Sequence, residues 1–158
     1  MMATSVMSIA SSIDAAADQA SSRYGRLLNW QNRPDPFWHY GIGLSDSSIF
    51  DTGQGLRVFH REESNFVIGV DHIAYSPDQV IKRLKHAVAV FHGWNYNYLG
   101  WNCEHLARLV ATGRPRCYQS KAIWMLCNMT SKGDHKSALK TFNSYLLAQD
   151  PDLVERGR

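Results

Sequence analysis

The sequence predicts an α+β domain, with an antiparallel sheet packed on helices. Three observations carry this. Between residues 37 and 70, short apolar–polar alternations are broken by tight-turn residues. Two amphipathic stretches with helix caps follow, near 76–93 and 102–113. The order is helix, then strands, then helices, with no internal repeat, so strands and helices are segregated rather than alternating. The chain has 158 residues, enough for one core but not for two.

Residues 1–23 are rich in Ala and Ser, with Val6, Ala10, Ile13 and Ala17 at helical spacing. Residues 1–33 are therefore expected to form an N-terminal helical arm, and the domain proper to run from 34 to 158. Arg33-Pro-Asp-Pro36 breaks the chain. In Trp38-His-Tyr-Gly-Ile-Gly-Leu44, Tyr40, Ile42 and Leu44 share one face of a strand, and His39, Gly41 and Gly43 the other. Ser45-Asp-Ser47 is a turn. Residues 48–52, 56–60 and 66–70 read as three further strands. Ser76 is placed to cap a helix with Pro77 in its first turn. Val80, Ile81, Leu84, Val88 and Phe91 form its apolar stripe, and Gly93 ends it. A second helix starts near Asn102, buries Leu106, Ala107 and Val110, and closes at Gly113. Helices near 120–130 and 136–149 complete the chain, so the C-terminal helices begin at about 118.

Composition narrows the function classes. A hydrophobic fraction of 44% with 20% charged residues is that of a globular chain. The formal net charge of +3 is too small for a nucleic-acid partner, which would need a dense basic stripe. Cys103, Cys117 and Cys127 are odd in number and irregularly spaced. They do not form a disulfide framework, and the expected compartment is reducing and cytoplasmic. Asp14 and Asp18 stand where a signal peptide would be apolar, and no stretch reaches the length of a membrane span.

The chemistry concentrates at Trp101-Asn-Cys-Glu-His-Leu106. This string places Cys103 in the first turn of a helix, where backbone N–H groups and the helix dipole favour negative charge. A thiol so placed is expected to have a lowered pKa and to be partly thiolate, the nucleophilic form. The same N–H groups are candidates to hold an oxyanion. His39 is the expected base, with Gly41 and Gly43 leaving room on its face for the Cys103 helix to approach. Asp51, on the neighbouring strand, is the expected orienting acid.

His39-Tyr-Gly-Ile-Gly, a polar position twelve residues later, and Asn102-Cys-Glu-His105 together resemble the lecithin:retinol acyltransferase-like family (LRAT domain), a permuted papain-like branch related to the NlpC/P60 peptidases. The resemblance covers roughly residues 37–113. It implies a thiol-protease-type fold in which Cys103 is the nucleophile, His39 the base and Asp51 the third polar residue. Vertebrate members place a second His at the Asp51 position. The resemblance further implies acyl transfer through a thioester on Cys103, from an acyl-bearing substrate: a lipid ester, or an amide as in the wider superfamily. A hydrolase or acyltransferase is thus the first reading. A thiol peptidase or amidase, and a non-catalytic binding protein on the same scaffold, are the alternatives.

Other residues read more plainly. Cys117 and Cys127 are small buried hydrophobes. His60 is the rival to Asp51. His105 points to another side of its helix and is structural, Glu104 complements the dipole, and Asn102 is the N-cap. Trp38 and Trp101 are core residues. Arg108, Arg114, Arg116 and Lys121 form a solvated basic face, with peripheral contact to anionic headgroups as the alternative. No zinc-ligand spacing occurs, and neither metal nor cofactor is expected.

Overall fold

The computed structural model describes residues 2–31, 38–52, 55–60, 67–68, 75–94, 101–117 and 134–154. Among the described residues the elements follow in order: α1 (Met2–Ala16), β1 (Leu27–Gln31), β2 (Trp38–Gly43), β3 (Ser48–Asp51), β4 (Arg57–His60), β5 (Val67–Ile68), α2 (Pro77–Phe91), α3 (Cys103–Thr112), α4 (Asp134–Gln149) and a C-terminal 3-10 turn (Pro151–Leu153). The class is α+β, as the segregation of strands and helices predicts. The expected helix near 120–130 lies outside the described residues.

All strand pairings are antiparallel, in the order β4-β3-β2-β1-β5. The register pairs Leu27 with Ile42 and Trp30 with His39 across β1 and β2, and Ile42 with Phe50 across β2 and β3. Alternation then separates two faces. Leu27, Tyr40, Ile42, Leu44 and Phe50 join the main core with α2 and α3. Leu28, Trp30 and Ile49 form a second cluster on the other face, with Phe59 packed against it.

β1 corrects the expected boundary at residue 33. The N-terminal helix ends at Ala16, and the segment read as the rest of an arm supplies a strand bonded on both edges. Leu27, Leu28 and Trp30 are all buried because each face of the strand meets a core. The strand is only five residues long, and its alternation, Leu28 and Trp30 against Asn29 and Gln31, covers too few positions to stand out.

The helices follow their apolar stripes. On α2, Val80, Ile81, Leu84, Ala87, Val88 and Phe91 are buried, and Ser76 with Gln79 forms a capping box at its start. Ala138, Phe142 and Leu146 bring α4 onto the same core. Every residue of α3 is buried, including the polar Glu104, His105 and Arg108. The residue that ties these helices together is Arg83, which is fully buried. It donates to the carbonyls of Val110 (2.8 Å), Leu109 (2.7 Å) and Leu153 (2.5 Å). It thereby satisfies carbonyls at the C-terminal end of α3, where a cation also complements the dipole. Its guanidinium lies 3.9 Å from the centre of the Tyr75 ring.

Candidate active site

Cys103 is the first residue of α3, and Asn102 is its cap. Asn102 Oδ1 accepts from the backbone N–H of Glu104 (3.0 Å) and of His105 (3.1 Å). The Asn102 carbonyl accepts from Leu106 N–H at 3.2 Å. His105 Nδ1 accepts from Asn102 N–H at 3.4 Å, closing a reciprocal box, and its ring stacks on Trp101. These bonds agree with a structural role for His105. They also engage three first-turn amides that could otherwise receive an oxyanion.

The Cys103 side chain is buried and lines a small cavity of about 10 Å³, the room of about one water, between the sheet and the helices. Tyr40, Asp51, Thr52, Leu84 and Leu106 line it too. Most of its wall is apolar. Cys103 thus shares this cavity with residues 40–42 of β2.

His39 is placed on the other side of that strand. Its ring stacks on Trp30, with centroids 5.9 Å apart and planes inclined by 22°. Trp30 belongs to the second cluster, whereas Tyr40 and Ile42, one residue to either side of Gly41, face α3. The two expected partners therefore occupy opposite faces of β2. The expectation that Gly41 and Gly43 make room for the Cys103 helix is corrected for the same reason. A Cβ at Gly41 would meet the Phe50 carbonyl and the Trp30 indole; one at Gly43 would meet the Arg23 carbonyl. The glycines admit a tryptophan and the incoming N-terminal segment, not α3.

Asp51 is buried and lines the pocket with Cys103. Arg57, its cross-strand partner, donates to Oδ1 at 3.0 Å. Alternation puts Asp51 on the His39 face. His60 lies far from this group. It pairs with Ser48, whose Oγ is 2.9 Å from His60 Nδ1, four residues along β3 from Thr52 and thus about 13 Å away.

A second polar cluster sits behind the cap. Glu104 is fully buried; its Oε1 accepts from Arg108 Nε at 2.9 Å and its Oε2 from the Cys117 thiol at 3.1 Å. Asn102 Nδ2 donates to Cys117 Sγ at 3.5 Å. The Arg108 guanidinium lies 5.2 Å from the Tyr40 ring centre. Burial, and then the Glu104 charge, push the Tyr40 hydroxyl pKa up. Two expectations change here. Cys117 is a hydrogen-bonded thiol rather than a plain hydrophobe, and Arg108 is buried against a carboxylate rather than part of a solvated face. Trp101 is core, in contact with Phe91 at 4.8 Å between centroids, but Trp38 is exposed. Lys121 and Cys127 lie outside the described residues.

The sequence reading does not point to Thr52, Arg57 or Tyr40, although the strand alternation around Asp51 and Ile42 places all three beside the site. Among the described residues no helix is long and apolar enough to cross a membrane. Comparison with protein-family models, with curated proteins and with solved structures finds no match.

Proposed function

We propose that the chain is a cysteine-dependent acyl hydrolase or acyltransferase of the permuted papain-like type, which carries the acyl group as a thioester on Cys103. The observation that supports this best is the position of Cys103 at the start of a capped helix, facing a pocket shared with Asp51 and Thr52. The helix dipole favours the thiolate there. Attack on an ester carbonyl forms the C–S bond and expels the alkoxide. Water or a second acceptor then releases the acyl group. His39 is the base in this reading. Its imidazole has to leave the Trp30 stack and cross to the other face of β2 to meet the thiol. The apolar lining from Ile42, Phe50, Leu84 and Leu106 favours a lipid ester over a peptide. A reducing, cytoplasmic compartment suits a chemistry that needs a free thiol.

Two observations favour a second reading. The His39–Trp30 stack and the Asp51–Arg57 pair are what a non-catalytic binding protein on the same scaffold would have. The pH dependence of iodoacetamide labelling at Cys103, in wild type and His39→Ala, separates the two. Fast labelling below pH 7 that the His39 change slows supports the enzyme. Labelling like a free thiol with a pKa near ~8.5, indifferent to His39, rejects it in favour of the binding protein.

A further inference from the structure

Thr52 is 7% exposed, and its Oγ1 is buried with no hydrogen-bond partner among the described residues. A buried hydroxyl without a partner costs free energy, so its presence calls for a group that completes it. Its surroundings narrow what that group is. Thr52 lines the Cys103 pocket. Counting by twos from Phe50, which faces the main core, puts its side chain on the α3 side of the sheet. The amides of Glu104, His105 and Leu106 are taken up by Asn102, so they do not serve the pocket.

We propose that the Thr52 hydroxyl is the side-chain donor to the substrate's carbonyl oxygen during acylation of Cys103, a role that rests on the thioester chemistry proposed above. When the Cys103 thiolate attacks, the C–S bond forms and the carbonyl π pair moves onto oxygen. Thr52 O–H donates to that oxyanion and keeps its proton. The pair returns as the C–O bond to the leaving group breaks. Because the hydroxyl is already buried and held on the strand end, it needs little reorganisation when the charge develops. The group it selects is an ester carbonyl, whose oxygen matches the room of about one water beside Thr52 and Cys103.

The test compares two reactions of the same thiol in the full chain. Acylation by p-nitrophenyl butyrate passes through a carbonyl oxyanion; iodoacetamide alkylation displaces iodide from a saturated carbon and does not. Acylation is read as the nitrophenolate burst and the butyryl mass increment on the intact protein. Thr52→Val is expected to slow acylation by about 100-fold. Thr52→Ala, a second hydroxyl-free variant, carries the same expectation, and Thr52→Ser restores the rate. Alkylation stays within about twofold of wild type in all three, as does the thermal midpoint to within a few degrees. Acylation by Thr52→Val at the wild-type rate overturns this role alone, and so does parallel loss of acylation and alkylation. A wild-type protein that is alkylated at Cys103 but forms no acyl-enzyme overturns the thioester chemistry itself, and this role with it.

Discussion

The Cys117 thiol donates a hydrogen bond to the fully buried Glu104 carboxylate at 3.1 Å, while Arg108 holds the other oxygen. Glu104 is thus shared by a guanidinium and a thiol, directly behind the residue that caps the Cys103 helix. Glu104→Leu leaves the Arg108 guanidinium buried beside no carboxylate. The expected cost is about 3–5 kcal/mol, seen as a lower urea midpoint at unchanged slope. The double variant Glu104→Leu/Arg108→Met should recover a large part of it, since removing both charges removes the desolvation cost of each. A double variant as unstable as the single one would show that the pair is not the source of the loss.

Arg83 joins α3 to the C-terminal turn through three carbonyls. Arg83→Met keeps the apolar stem but removes every donor, and should cost roughly 3–5 kcal/mol. Hydrogen exchange should show the C-terminal residues near Leu153 opening first, because their tie to the core is gone. Uniform protection with an unchanged melting curve would contradict this.

Asn102→Ala removes the acceptor for two first-turn amides. A loss of about 1–2 kcal/mol is expected, and Asn102→Asp should retain most of the stability. Thermal unfolding of the two variants measures the difference.

Gly43→Ala directs a methyl group onto the Arg23 carbonyl. The backbone at Arg23 has to shift, together with the Gly25 N–H to Gly43 carbonyl bond beside it. A destabilisation of about 1–3 kcal/mol is expected. Gly93→Ala, whose added methyl would meet nothing within 4 Å among the described residues, serves as the control and should be close to neutral.

His86 sits on α2 against the Tyr145 ring, and burial lowers its pKa below the ordinary value of 6.5. The folded state holds it neutral, so below pH 6.5 the unfolded chain binds the extra proton first. Stability from this group is complete above pH 6.5. It falls as the pH drops through that value toward the lower folded pKa. His86→Gln should therefore flatten the decline in melting temperature between pH 7 and pH 5. An identical decline in the variant would assign the acid sensitivity to other groups.

Much of the architecture was legible because local chemistry dictates it. Ser76-Pro77 starts α2 and Asn102 caps α3, since a helix start needs a side-chain acceptor for its unpaired amides wherever it lies. The alternation in residues 38–44 separated Tyr40, Ile42 and Leu44 from His39, Gly41 and Gly43, and the sheet keeps that separation. β1 was hidden because four alternating residues, Leu28 to Gln31, are too short a run to fix a period. Arg83, Glu104 and Arg108 were hidden because nothing local distinguishes a buried charge from a solvated one; partners distant in sequence supply the compensation for Arg83.

The sequence by itself determined which residues share a face: the pleat allows no other grouping, so His39 and Tyr40 had to point apart. It also determined that Cys103 opens a helix. Only the tertiary structure decided which face of β2 receives that helix. The apolar stripe of α3 packs against whichever side buries more surface, and Tyr40, Ile42 and Phe50 offer more than two glycines and a histidine. Trp30, from a strand the pattern did not mark, then covers the other side and takes His39 into its stack.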